Sequence, residues 1–290
     1  MSSVHPPRVA GRRSPVVLTI GILIVLGLVF ALAANLYTEK LWFDSVGFTG
    51  VFTTQLLTQV ALFLVGALIV GGSVFLNMAL AFRMRTPNRR RGASAILDRY
   101  RDLLEANVKT ALLLPSIVFG AMAGLSTATQ VLPVLAWINR TPSGVLDTRF
   151  GLDTSFFMFE YPIWRMIASL LMSALIFGLI AAAAIHFAVG NIVTGRPRAR
   201  STAPAPVARH LSIVAGLATI VYGLESLLDR YGLMVDRGTL FDGLQFTDDH
   251  ATMTAKLIIA VIAFLVAALF FANAVLNNPM LPLVGVVLML

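Results

Sequence analysis

Long uncharged, apolar runs alternate along this chain with short polar connections. The runs cover residues 15–38, 45–82, 110–139, 166–195, 211–224 and 257–290. A helix needs about 20 mostly apolar residues to cross a hydrocarbon core. The pattern therefore predicts an all-α polytopic membrane bundle, with spans near 16–37, 55–82, 110–133, 163–189, 211–229 and 257–275. A tail, residues 1–14, precedes them. A seventh run occupies 280–290, and its eleven residues reach only about 16 Å as a helix, roughly half the core. The expectation is of a truncated seventh span, with the chain read as part of something longer. Composition agrees: 58% of residues are hydrophobic and 12% charged, with a mean hydropathy of +0.85. That leaves too little polar surface for a soluble domain.

Charge then orients the spans. One set of connections, the N-terminus with 83–109 and 190–210, carries 15 Lys/Arg against three acids, a net of +12. The opposite set carries seven basic residues against eleven acids, a net of −4, and together they give the formal charge of +8. The basic side is expected to be cytoplasmic, which places the N-terminus inside a multi-pass protein of the plasma membrane. Trp42, Trp137 and Trp164 all fall at the other boundary, as an interfacial aromatic belt requires. Arg12-Arg13 ahead of a run ending Ala31-Leu32-Ala33 leaves a signal-peptide reading of the first span open. The basic residues flank apolar runs and form no separate domain, so nucleic acid is not an expected partner. The expected partners are the bilayer itself, anionic lipids at the cytoplasmic face, and a protein partner in the envelope.

The connections carry secondary signals. Ile96, Leu97, Tyr100, Leu103 and Leu104 recur at helical spacing among charges, which predicts an interfacial amphipathic helix over 94–106. The Pro/Ala-rich stretch 196–209 is expected to be irregular. Residues 38–54 form an aromatic strip suited to an interfacial or re-entrant segment, and Phe156, Phe157, Phe159 and Tyr161 crowd the boundary before Pro162. Asp229, Asp236, Asp242, Asp248, Asp249 and His250 make an oxygen-rich cluster, but their spacing matches no cation loop, and no metal site is assigned. There is no cysteine, which excludes disulfides and thiolate metal sites.

Several of these connections resemble one known family. YTEKLWFDSVGFTGVFTT, RFGLDTSFFMFEYPIWR, ARHL, LLDRYGLM and FTDDHATMTAKL occur in order across nearly the whole chain. They are similar to the bacterial integral membrane proteins of unknown function numbered 0182 in the uncharacterised protein family series. The resemblance implies seven spans followed by a large extracytoplasmic region. It implies no reaction and no cofactor.

Ionisable residues inside spans are the default functional candidates. Glu225 lies in the outer part of the fifth span, with Lys256 at a similar depth and Arg230 nearby; Glu225–Lys256 or Glu225–Arg230 pairing is possible on spacing, as is simple solvation. His186 sits late in the fourth span, as a proton relay or as a hydrogen-bonded interface residue. Asn77, Gln130 and Asn273 read as helix–helix hydrogen bonders, and Gly120 with Gly124 as a close-approach step. No hydrolase, metalloprotease, phosphate-loop or cysteine-nucleophile motif is present. The leading expectation is a non-enzymatic membrane scaffold for an extracytoplasmic domain or envelope partner. A transporter or channel-like pathway through Glu225, Lys256 and His186 is the alternative, and an envelope-lipid enzyme the third reading.

Overall fold

The computed structural model describes residues 15–85, 102, 105–191, 205–236 and 243–289. The described part is all-α, with a single isolated β-bridge between Leu146 and Asp153. The interfacial helix expected over 94–106 falls largely outside the described residues. Among the described residues eight α-helices have full bounds: α1 (Pro15–Ser45), α2 (Thr49–Arg83), α3 (Val108–Ala128), α4 (Val131–Ile138), α5 (Tyr161–Ala188), α6 (Ala205–Gly232), α7 (Met253–Leu276) and α8 (Met280–Met289). Short π-helical turns at Phe156–Glu160 and Asp248–Thr252 lead into α5 and α7. Among the described residues six helical stretches are long and apolar enough to cross a membrane, and α8 is a shorter apolar helix.

Several helices outrun their apolar windows. α1 continues through Lys40 and Asp44, which bond at 2.6 Å one turn apart. The aromatic strip 38–54 is thus helix, a three-residue turn, and helix again. α6 begins at Ala205, so the end of the stretch expected to be irregular is helical; Pro206 sits in its first turn, where its missing N–H costs no bond.

The chain forms two compact units. The first, Met1–Leu56, holds α1 and the start of α2. Gly47 turns the chain there with a positive φ, and Asp44 accepts from the Thr49 hydroxyl at 2.7 Å across the turn. Trp42 packs edge-on against Phe43 and remains exposed.

The second unit, Leu57–Leu290, is the bundle. Small residues set its tightest crossing. A methyl group on Gly120 would lie 2.8 Å from the Ala67 carbonyl oxygen, and one on Gly71 would lie 2.7 Å from that of Ser116. The α2 and α3 backbones therefore touch, a contact only glycine permits. Val74, Met78, Ala81, Leu112, Ala181, Ala182, Ile185 and Val189 form the main buried cluster, joining α2, α3 and α5. α6 packs most extensively on α7, where Gly216 and Gly223 make room for Phe271 and Phe264. Asn273 donates to Ser212 at 2.6 Å across that interface.

Candidate functional site

The polar groups of the bundle gather at its two ends. At the end carrying the acid-rich connections, Asp229 on α6 is the hub. Arg165 of α5 donates to its Oδ1 and Lys256 of α7 to its Oδ2, both at 2.7 Å. One carboxylate thus ties three helices. Lys256 is not paired with Glu225, and among the described residues Glu225 has no hydrogen bond or ion pair. The reason is helical geometry. Glu225 and Asp229 are one turn apart on the same face, and the antiparallel α7 starts low enough for Lys256 to meet the later one.

The connections above this hub are tightly ordered. Asp153 accepts from the Ser143 hydroxyl at 2.7 Å, the Ser155 N–H at 2.8 Å and the Gly144 N–H at 2.9 Å. These bonds, led by that from Ser143, hold its carboxyl well below the usual carboxylate range. Asp147 caps the turn below by accepting from the Arg149 and Phe150 N–H groups. Gly144 and Gly151 take the positive φ values that the two bends need. Phe150, Phe156 and Phe157 then gather around Tyr231 at the end of α6, with ring centroids 4.7–6.5 Å apart. Arg149 pairs with Asp249 at 2.9 Å, and Arg140 pairs with Glu160 at 3.2 Å while covering the Trp137 ring. Trp164 lies in the first turn of α5 and is exposed. The result is a folded platform built from two connections and anchored on α5 and α6.

Between α3 and α5 a groove of about 650 Å³ descends from this end. Gln130 and Arg165 line it near the mouth, and Ser169 and Ser173 lie further along. Phe177, at its far end, stacks on Phe119 at 4.7 Å. Gln130, expected to bridge helices, lines this groove instead.

At the opposite end, His186 is not a lone histidine. It is fully buried, and its Nε2 lies 3.2 Å from Nδ1 of His210 on α6. Nε2 of His210 lies 3.0 Å from Oδ1 of Asn77 on α2. Asn191 lies 3.2 Å from Nδ1 of His186 and also donates to the Met84 carbonyl at 3.3 Å. Asn77 in turn donates to the Ser73 carbonyl at 2.8 Å, and the Ser73 hydroxyl donates to Ala174 at 2.6 Å. A C-terminal cap positions Asn191. Gly190 takes φ +73°, its N–H meets the Phe187 carbonyl, and the Asn191 N–H meets that of His186. This pairing of a six-residue bond with a four-residue bond around a left-handed glycine closes α5 and folds Asn191 back over the imidazole. Gly178 is equally necessary: a methyl there would sit 2.8 Å from the Asn77 amide nitrogen.

His210, Asn191 and Asp229 escape a reading by sequence alone. His186 lies two residues before the end of α5 and His210 five residues after the start of α6, so an antiparallel pair puts them at one depth. That was the available signal.

Comparison with known proteins adds a family. The model of the Uncharacterised protein family UPF0182 matches residues 16–290. A UPF0182 protein of Streptomyces coelicolor is 36% identical over 288 residues, covering 97% of this chain and 29% of the relative. One from Thermobifida fusca is 35% identical over 290 residues, covering 96% and 27%. One from Clavibacter sepedonicus is 32% identical over 287 residues, covering 98% and 29%. The chain thus spans less than a third of the length of these curated relatives. No solved structure matches.

Proposed function

This chain belongs to the Uncharacterised protein family UPF0182, and on that premise we propose that it is a membrane scaffold holding an extracytoplasmic domain or envelope partner over its acid-rich end. The observation that carries this reading is the platform. Connections that only joined helices would need no such order, yet here two of them are tied to each other and to α5 and α6. The platform also leaves large apolar side chains in the open: Phe246 is 78% exposed, Met158 68% and Leu146 66%. Ordered backbone presenting isolated apolar side chains is what a docking face requires. In this reading the plasma membrane holds the bundle, the basic connections face the cytoplasm, and the additional length of the relatives supplies what is docked.

A photo-crosslinking residue at Leu146, in the protein within its native membranes, tests this. A discrete protein adduct that weakens with Asp153→Asn is the expected result. Adducts to lipid alone would contradict it.

The groove favours a second reading, passage of an amphiphile along the α3–α5 face. Its hydroxyls, its arginine mouth and its length suit a chain with a polar head. Protein adducts at Leu146 that survive loss of Arg165 would favour the scaffold.

A further inference from the structure

We infer that His186 and His210 form an intramembrane binding site for a single proton, whose arrival frees Asn191 from Met84. The two ends of the chain of side chains fix where its hydrogens sit. Asn77 gives its amide N–H to the Ser73 carbonyl, which can only accept. Its Oδ1 therefore faces His210, and Nε2 of His210 must carry a hydrogen. At the other end the Asn191 amide gives its N–H to the Met84 carbonyl, which also can only accept. The same nitrogen faces Nδ1 of His186, which must then be a bare acceptor. The hydrogen of His186 accordingly sits on Nε2 and is donated to Nδ1 of His210. Every donor points the same way, from Asn191 through both rings to Asn77. Both rings are neutral, and both are Nε2–H tautomers.

Only one position in this chain can take another proton. It is Nδ1 of His186. A hydronium ion there would break one O–H bond, form an N–H bond on Nδ1 and leave as water. The imidazolium can pass its Nε2 proton on to His210, so the charge belongs to the pair. A second proton is opposed by the first at 3.2 Å. Among the described residues no carboxylate bonds to either ring to offset it. α2, α3, α5 and α7 contain no acid, and the acids of α6, Glu225 and Asp229, lie 15 and 19 residues from His210, about 22 and 28 Å along the helix. The described charges at this end are mostly cationic, Arg83 and Arg85 on or just after α2, Lys109 on α3 and Arg209 on α6, with Asp102 and Glu105 in the connection before α3.

The orphan atom completes the argument. Oδ1 of Asn191 is buried and has no hydrogen-bond partner among the described residues. A new N–H on Nδ1 of His186 would oppose the Asn191 N–H, and turning the amide brings Oδ1 onto it. The same turn points Oδ1 at the Met84 carbonyl, so the tie between the cap of α5 and the end of α2 is lost. A groove of about 530 Å³, lined by Asn77, Met84, Arg209 and His210, opens beside the His210 end of the chain.

The full chain in lipid vesicles, labelled with ¹⁵N-histidine, tests this by solid-state NMR. It has only four histidines, and His186→Gln and His210→Gln assign the two. The expected spectrum at neutral pH has both rings as Nε2–H tautomers, and acidification moves both resonances together through one proton. Asn191→Asp places a carboxylate at Nδ1, and His186 is then expected as an imidazolium at neutral pH. An Nδ1–H tautomer at neutral pH, two independent titrations, or a neutral His186 in Asn191→Asp would each overturn the proposal.

Discussion

Lys256 Nζ lies 2.7 Å from Asp229 Oδ2 across the α6–α7 interface, while the other oxygen of Asp229 is taken by Arg165. The Lys256 and Asp229 side chains are 32% and 27% exposed, so the pair is half-screened. Its worth falls between an exposed pair, under about 1 kcal/mol, and a buried one whose breakage costs about 3–5 kcal/mol. Asp229→Asn with Lys256→Met, singly and together, should show a coupling of about 1 kcal/mol in thermal unfolding of the solubilised protein. Glu225→Gln should change stability by less than about 0.5 kcal/mol. A large Glu225 effect with no Asp229–Lys256 coupling would reassign the pair.

Two glycines of neighbouring helices should respond oppositely to alanine. A Gly120 methyl meets the Ala67 carbonyl, and backbone cannot yield as a side chain can. Gly120→Ala should cost about 1–3 kcal/mol by forcing α2 from α3. Gly72 has no atom within 4 Å of its would-be methyl, and Gly72→Ala should be neutral or stabilising by up to about 1 kcal/mol. Melting temperatures of the two variants decide this.

The helices were legible in the sequence because an apolar run of span length has few folded alternatives. The glycine step at Gly120 and Gly124 was legible for a similar reason: small residues at that spacing have one common use in apolar helices. Partner choice was not. Glu225 and Asp229 share a face, and only the register of α6 against α7 decides which meets Lys256. The histidine pair also depends on the pairing of α5 with α6, which one-dimensional reading cannot supply. The platform was hidden for another reason. Its order comes from Asp153 and Asp147 bonding to nearby backbone, and such acids look identical to solvated ones until the turns are seen.

Asp153 gives the platform a defined pH dependence. Its carboxyl is held below the usual range in the folded loop, so its bonds contribute fully above about pH 4, the ordinary aspartate value. The contribution is lost as pH falls toward the folded value. Hydrogen exchange of 143–155 should be unchanged, after correction for intrinsic rates, between about pH 8 and 5, and protection should fall below about pH 4. Asp153→Asn should raise exchange at every pH. Equal protection in the variant would mean the loop is held by other contacts.

In the proposed scaffold the platform faces outward and the histidine end faces the cytoplasm. The chain has no cysteine, so single cysteines at Leu146 and at Arg85 can be read without background. An impermeant thiol reagent applied to intact cells is predicted to label position 146 and to reach position 85 only after the cells are opened. Labelling at 85 in intact cells, with 146 protected, would contradict the account.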